Sequence, residues 1–170
     1  MANGLTYRRA TTTPVATKQL AATLAAHLRP NDVIALIGDL GAGKTQFVQG
    51  VADGLGVKAQ VTSPTFNIQI DYNGGRLPLH HFDLYRLEQE EELDDIGFFD
   101  TIEDGGVSFL EWGDKFAEAL PYSYLEIEIL KDDDNPDGRV IYAHAYGESS
   151  RQLLFLWAKD SKSRLTKTTR

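Results

Sequence analysis

Apolar positions in the first third of the chain follow two different spacings. Leu20, Leu24 and Leu28 recur every four residues, which predicts an amphipathic helix over residues 14–28, with Thr13 as its N-cap. Residues 33–37 form a continuous apolar run, which is typical of a strand buried on both faces of a parallel sheet. This part of the chain is therefore predicted to be helix followed by strand.

A second helix is predicted directly after a glycine-rich turn that follows this strand. Apolar residues recur with helical spacing on one face of it, at Phe47, Val48, Val51 and Leu55. Gly54 and Gly56 are predicted to end this helix. Residues 66–72 and 77–82 then predict an antiparallel hairpin. Three further strands are predicted at residues 107–110, 124–130 and 140–145, and a last helix at residues 148–157.

Composition indicates one globular domain with a separate basic tail. The chain has 170 residues, of which 42% are hydrophobic, and we expect a single domain over residues 1–158. Residues 159–170 carry five basic groups and one acid with a single large apolar side chain. Such a segment cannot bury enough surface to offset its ordering entropy, so disorder is predicted from about Asp160 onward.

Charge and cysteine content exclude several classes of function. A formal net charge of −8 disfavours direct binding of DNA or RNA, which requires neutralisation of phosphates. The absence of cysteine excludes disulfides and zinc–sulfur sites. No apolar run reaches the 18 or so residues that a membrane-spanning helix needs, and no secretory signal core is seen, so we expect a cytoplasmic protein without contact to a membrane.

The strongest motif lies between the buried strand and the second helix. Residues 38–45 match G-x-x-x-x-G-K-[ST] in full, and the glycines allow successive backbone amides to face a phosphate group. Lys44 is then predicted to reach the β and γ phosphate oxygens, and Thr45 to bind Mg²⁺. Glycine-rich turns also occur without a ligand, but that interpretation does not account for the lysine and the threonine.

Two strand ends supply carboxylates of the kind that a magnesium nucleotide site uses. Glu111 follows the strand at residues 107–110, and Asp83 follows residues 77–82. Such acids are also common as helix caps or solvated strand ends. His80 and His81 precede Asp83 on opposite faces of its strand, and we interpret both as packing residues.

A hydroxyl-rich segment follows the second helix. Thr62, Ser63 and Thr65 surround Pro64, which holds Ser63 extended. Nucleotide switches place such hydroxyls where they sense the γ-phosphate, although a simple turn into the next strand is an alternative. The guanine-specific pattern [NT]-K-x-D is absent, since Thr17-Lys18-Gln19-Leu20 lacks the aspartate, so adenine is favoured.

Together these motifs resemble the TsaE (YjeE) family of ATPases. The order of the phosphate loop, Ser63-Pro-Thr-Phe66, His81-Phe-Asp-Leu-Tyr-Arg86 and Leu110-Glu-Trp112 is typical of that family over about residues 5–157. The resemblance implies an α/β sandwich like that of P-loop NTPases, with a mixed, mostly parallel central sheet flanked by helices.

The resemblance also implies roles for individual residues. Glu111 and Thr45 are expected to bind Mg²⁺, and Asp83 to position or activate the attacking water. Thr13 and Arg139 are expected beside the adenine and the ribose of ATP or ADP. The phosphates are expected to contact Gly38, Gly41, Ala42, Gly43, Lys44, Thr45 and Gln46. Trp112 belongs to the family pattern, and Arg86 is a candidate arginine finger.

The function implied by the resemblance is modification of tRNA. The family works with the TsaB and TsaD proteins to install threonylcarbamoyl on adenosine 37 of tRNAs that read codons starting with A. Contact with tRNA is expected only indirectly, through this complex. Hydrolysis by the protein alone is expected to be slow.

Two other functions stay open on the residues alone. A non-catalytic nucleotide sensor would use ATP and ADP only to switch the segment of residues 62–65. A small-molecule kinase, which we favour less, would need a lid or pocket rich in arginine, whereas only Arg76 and Arg86 lie between residues 30 and 138. Residues 88–104, the acidic segment, hold nine acids and no base, and can be a solvated face or a docking surface for a basic partner.

Overall fold

One mixed sheet runs through the protein. The computed structural model describes residues 4–161 and 165–168. The strands are β1 (Gly4–Thr11), β2 (Val33–Ile37), β3 (Gln69–Tyr72), β4 (Leu79–Asp83), β5 (Val107–Glu111), β6 (Tyr124–Lys131), β7 (Arg139–Tyr146) and β8 (Leu165–Thr168). Their order across the sheet is β3-β4-β5-β2-β6-β7-β1-β8.

The centre of the sheet is parallel and its flanks are antiparallel. β4, β5, β2 and β6 form consecutive parallel pairs. β3 pairs antiparallel with β4 on one side, and β7, β1 and β8 continue antiparallel on the other. The predicted α/β class with a parallel core and the predicted antiparallel hairpin are confirmed.

Helices cover both faces of this sheet. They are α1 (Pro14–Ala25), α2 (Lys44–Leu55), the single turns α3 (Glu92–Asp95) and α4 (Phe98–Thr101), and α5 (Glu148–Asp160), together with a 3-10 helix at Gly113–Ala119. α1, α2 and α5 pack on one face over a large buried cluster that contains Phe47, Phe109 and Trp157. A smaller cluster under α3 and α4 contains Phe82, Phe98 and Leu110. None of the described helices has the length and apolar content needed to span a membrane.

α1 and α2 approach closely because α2 carries glycines on the side that faces α1. A Cβ added to Gly50 would lie 2.4 Å from the carbonyl oxygen of Lys18, and one added to Gly54 would lie 2.6 Å from that of Ala22. The sequence interpretation of Gly54 as a helix stop is therefore wrong, since it lies inside α2. Gly56, with φ of 82°, is the C-cap as predicted.

Two strands lie outside the predicted set. β1 places Tyr7 in the core, stacked on Trp157 with ring centroids 4.6 Å apart. β8 pairs with β1 over residues 165–168, within the segment for which disorder was predicted, and α5 extends to Asp160. This pairing uses backbone groups at the edge of β1 and requires no apolar side chains. Residues 162–164, 169 and 170, for which disorder was also predicted, lie outside the described residues.

Candidate functional site

The glycine-rich turn connects β2 to α2 at the carboxyl end of the parallel strands. Gly41 and Gly43 have φ of 78° and 110°, a backbone region that favours glycine. Gly43 precedes α2, whose first backbone amides therefore face the same concavity. Glycine is required at position 38 for another reason, because a Cβ there would lie 2.7 Å from the carbonyl oxygen of Ile129. This arrangement of backbone donors suits a phosphate group.

Lys44 lies beneath this loop and is 5% exposed. Its Nζ donates hydrogen bonds to the carbonyl oxygens of Gly38 at 2.5 Å and Asp39 at 3.1 Å. Burial lowers the pKa of Lys44 below its ordinary value of 10.5, although the carboxylates of Glu111 and Asp83 act in the opposite direction. A buried ammonium whose partners are neutral carbonyl oxygens is suited to pair with a phosphate.

Thr45 and Glu111 meet across the gap between α2 and β5. The Thr45 hydroxyl donates to Glu111 Oε2 at 3.0 Å, with Oε1 at 3.3 Å, and Glu111 is 5% exposed. In the described part of the chain no group of three or more His, Asp or Glu side chains could hold a metal. A hydroxyl and one carboxylate fit Mg²⁺, which takes hard oxygen ligands and is commonly completed by phosphate oxygens and water.

Asp83 is the cross-strand neighbour of Glu111 in the β4–β5 register and is 4% exposed. Its Oδ1 accepts the backbone amide of Tyr85 at 3.0 Å, and its Oδ2 accepts the hydroxyl of Thr65 at 2.8 Å. Asp83 therefore fixes a turn and also holds the hydroxyl-rich segment. It is not a solvated strand end.

Residues 62–65 lie beside this carboxylate. The hydroxyls of Ser63 and Thr65 are 2.7 Å apart, so Ser63, Thr65 and Asp83 form a hydrogen-bonded chain. Thr62 is exposed, and its backbone amide donates to the hydroxyl of Tyr72 at 3.1 Å. Ile68, just beyond the segment, has φ of 65°, a strained value for a β-branched residue.

The other predicted nucleotide contacts fall into two places. Arg139 lies against the phosphate loop, where its Nε donates to the carbonyl oxygen of Ala42 at 2.6 Å. A Cβ added to Gly43 would lie 3.6 Å from Gln46 Oε1 and 3.7 Å from Arg139 Nε, so both side chains line this side of the loop. Thr13 caps α1 by accepting the amide of Ala16 at 3.1 Å. The side chains of Thr13 and Arg139 therefore both form hydrogen bonds with backbone groups of the protein.

Trp112 and Arg86 contact different parts of the site. Trp112 has φ of 60°, and its ring lies 4.4 Å from Lys44 Nζ. Arg86 lies 5.3 Å from the ring of Phe66, which is 84% exposed. Trp112 therefore adjoins the phosphate loop, whereas Arg86 adjoins the hydroxyl-rich segment.

Two residues of this site were missed by the sequence analysis. Lys131, at the end of β6, donates from Nζ to the carbonyl oxygen of Leu40 at 3.3 Å. His81, which was interpreted as a packing residue, places Nε2 2.6 Å from Glu111 Oε2. Its position two residues before Asp83 puts both side chains on one face of β4, and this period of two could have identified it.

Comparisons with known proteins show which family this chain is similar to. The family model described as "Threonylcarbamoyl adenosine biosynthesis protein TsaE" matches residues 11–141. The "tRNA threonylcarbamoyladenosine biosynthesis protein TsaE" of Bacillus subtilis (strain 168) is 44% identical over 143 residues, covering 84% of this chain and 88% of the relative. The protein of the same name from Treponema pallidum (strain Nichols) is 46% identical over 102 residues, covering 60% and 75%.

The fold of this chain is similar to that of a solved structure. The crystal structure of Bacillus subtilis YdiB superposes with a TM-score of 0.78 at 36% sequence identity, over 92% of this chain and 96% of that chain. The family match includes the phosphate loop, Asp83, Glu111 and Arg139. The resemblance drawn from the motifs is confirmed, and the chain belongs to the TsaE family.

Proposed function

We propose that this protein is a Mg²⁺-dependent ATPase that acts in the cytoplasm in the threonylcarbamoyl modification of adenosine 37 in tRNAs reading codons that start with A. The observation that carries the proposal is the convergence of Lys44, Thr45, Asp83 and Glu111 on one end of the parallel sheet. The names of the relatives support the tRNA modification.

In this proposal each side chain has a separate role. Lys44 turns from the carbonyl oxygens of the loop to the β and γ phosphates. Thr45 and Glu111 hold Mg²⁺, which neutralises charge on the phosphate oxygens. Asp83 holds the attacking water through a carboxylate oxygen and accepts its proton. Thr65 changes position when the γ-phosphate is bound, and its hydrogen bond to Asp83 transmits this change to the carboxylate.

The same geometry supports slow hydrolysis by the isolated protein. Phosphoryl transfer depends on positioning and on cations that stabilise charge in the transition state. The donors of Arg139 are directed to backbone carbonyl oxygens of residues 42, 136 and 138, and Arg86 stacks on Phe66. Because both guanidinium groups have these other contacts, we expect slow hydrolysis by the protein alone and faster turnover with partners, and Arg86 stays a candidate arginine finger.

The proposed partners are the TsaB and TsaD proteins, with tRNA reached only through their complex. The net charge of −8 supports docking on a basic protein surface and disfavours direct contact with tRNA. In the acidic segment the apolar side chains of Leu93, Phe98 and Ile102 are buried, and the acids are left at the surface. This surface is the proposed docking region.

The first experiment measures phosphate release from Mg-ATP by the purified protein, alone and with TsaB and TsaD from the same source. Lys44→Ala serves as the blank. We expect slow release alone, faster release with the partners, and none with Lys44→Ala. Nucleotide binding without phosphate release in any mixture would contradict catalysis.

The second candidate function is a non-catalytic nucleotide sensor. It is favoured by the chain from Ser63 through Thr65 to Asp83, which gives a route by which bound nucleotide can move the segment. Glu111→Gln separates the two functions, because a sensor retains tRNA modification with this variant and an ATPase-dependent factor loses it. A small-molecule kinase is not supported, since Arg76 donates to carbonyl oxygens of Ala25 and Leu28.

A further inference from the structure

His81 makes the closest side-chain contact to Glu111. Its ring is fully buried on β4, and Nε2 lies 2.6 Å from Glu111 Oε2 on β5. In the arrangement argued below Nε2 is the donor, since a carboxylate oxygen beside a bound metal accepts hydrogen bonds. Nδ1 is buried and has no hydrogen-bond partner in the described part of the chain, so this one bond sets the orientation of the ring.

This contact makes the two carboxylate oxygens of Glu111 unequal. Oε2 accepts from His81 at 2.6 Å and from Thr45 at 3.0 Å, whereas among the described residues Oε1 has only the longer contact of 3.3 Å to the Thr45 hydroxyl. A cation held by the Thr45 oxygen would take a lone pair of the hydroxyl, and its single proton would still be donated to one oxygen of Glu111. The bond from His81 does not depend on Thr45 and keeps Oε2 in place.

We propose that His81 is a positioning residue that fixes Oε2 of Glu111, so that Oε1 is the oxygen presented to the Mg²⁺ of the bound nucleotide. This inference rests on the proposed role of Glu111 as a magnesium ligand. Groups that orient a metal ligand commonly change metal affinity by about 10- to 100-fold when they are removed. In this role His81 acts through Glu111, the residue that its Nε2 contacts.

The adjacent residue, His80, offers a matched control. It is 5% exposed on the other face of β4, and its nitrogens lie 2.6 Å from Asp71 Oδ1 and 2.9 Å from Asp104 Oδ1. His80 therefore makes the same kind of contact in the same strand, away from the candidate site. Its substitution reproduces the loss of a buried histidine without affecting Glu111.

The test compares His81→Asn, His81→Gln and His80→Gln. The glutamine amide nitrogen reaches close to the position of Nε2, whereas the asparagine nitrogen stops near that of Nδ1. Mn²⁺ is titrated into the protein with ADP and followed by electron paramagnetic resonance, and ADP affinity is measured separately in EDTA. Both readouts are independent of hydrolysis.

We expect His81→Asn to weaken Mn²⁺ binding about tenfold or more while ADP affinity in EDTA changes less than about twofold. His81→Gln restores most of the Mn²⁺ affinity, and His80→Gln leaves it unchanged. Equal loss with His80→Gln, or no loss with His81→Asn, overturns the proposal. If the substitutions prevent folding, nitrogen-15 spectra of the unmodified protein decide, since a proton on Nδ1 in place of Nε2 contradicts it.

Glu111→Gln distinguishes failure of this inference from failure of the proposed function. If Glu111→Gln leaves Mn²⁺ affinity unchanged, Glu111 is not a metal ligand, and both its proposed role in the ATPase and the role of His81 are overturned. If Glu111→Gln weakens Mn²⁺ binding and His81→Asn does not, only the role of His81 is overturned.

Discussion

The hydroxyl of Thr65 donates a 2.8 Å hydrogen bond to Oδ2 of Asp83, joining the segment of residues 62–65 to the end of β4. Asp83 is almost fully buried, whereas Thr65 is partly exposed. The position of an accessible segment is thereby linked to the carboxylate proposed to hold the attacking water.

This link predicts that Thr65→Val slows hydrolysis without weakening ATP binding. Valine has nearly the same shape but no hydroxyl, and a hydrogen bond to a charged group contributes about 1.5–3 kcal/mol. We expect kcat for phosphate release to fall roughly tenfold or more and ADP affinity to stay within about twofold. Thr65→Ser keeps the hydroxyl and is the control, so unchanged kcat in the valine variant would argue against the link.

Nucleotide affinity should depend on pH through Lys44. Burial holds the pKa of this ammonium below its ordinary value of 10.5, and only the charged form pairs with phosphate. As pH rises through the lowered pKa of the free protein, binding requires uptake of a proton, so affinity for ADP falls. The fall should begin below the pH at which an ordinary lysine titrates.

The measurement is ADP binding by calorimetry between pH 7 and about 10. Lys44→Arg is the control, because its guanidinium stays charged throughout this interval. Its affinity, even where weaker, should not follow the same pH dependence. A wild-type affinity that is constant up to about pH 10 would contradict the assignment.

The contact of α1 with α2 predicts the sign of a stability change. In an exposed helix Gly→Ala stabilises by about 1 kcal/mol. At Gly50 the added Cβ would lie 2.4 Å from the Lys18 carbonyl oxygen and 2.8 Å from Ala21 Cβ, so the helices must move apart. We expect Gly50→Ala to lower the free energy of unfolding by about 1–3 kcal/mol.

Urea unfolding followed by circular dichroism gives this free energy. Asp53→Ala, at an exposed position of the same helix, is the control and should change stability little. A Gly50→Ala variant more stable than the wild type would show that α1 and α2 are not in close contact.

Docking through the acidic segment predicts a position-dependent effect of charge. Glu91, Asp94 and Asp95 are exposed, and we expect their replacement by lysine to weaken binding to the TsaB–TsaD complex by roughly tenfold at low salt. Glu92 is left intact because its Oε2 accepts the amides of Glu88 and Gln89 and fixes the turn.

The control changes the same amount of charge elsewhere. Asp133, Asp134 and Asp137 are exposed in the loop between β6 and β7, and are replaced by lysine together. Binding is measured by biolayer interferometry at several salt concentrations. Equal losses in both triple variants would indicate an effect of net charge rather than of a docking surface.

The amino-acid sequence alone was sufficient to predict features that depend on residues close together in the chain. The phosphate loop is a contiguous motif, and its glycines, Lys44 and Thr45 occupy positions set by the turn from β2 into α2. A continuous apolar run also located β2, and alternation of apolar and polar positions located the β3–β4 hairpin. In these cases the pattern of apolar side chains within one element indicates whether one face or both faces are buried.

The tertiary structure alone decided which distant residues meet. β5 lies between β4 and β2 in the sheet, and this order brings His81, Glu111 and Thr45 together although 36 and 66 residues separate Thr45 from the other two. Arg139 and Lys131 reach the phosphate loop only because β6 lies beside β2, with β7 beyond it. Strand order and register are set by burial of the whole sheet, which no local sequence pattern records.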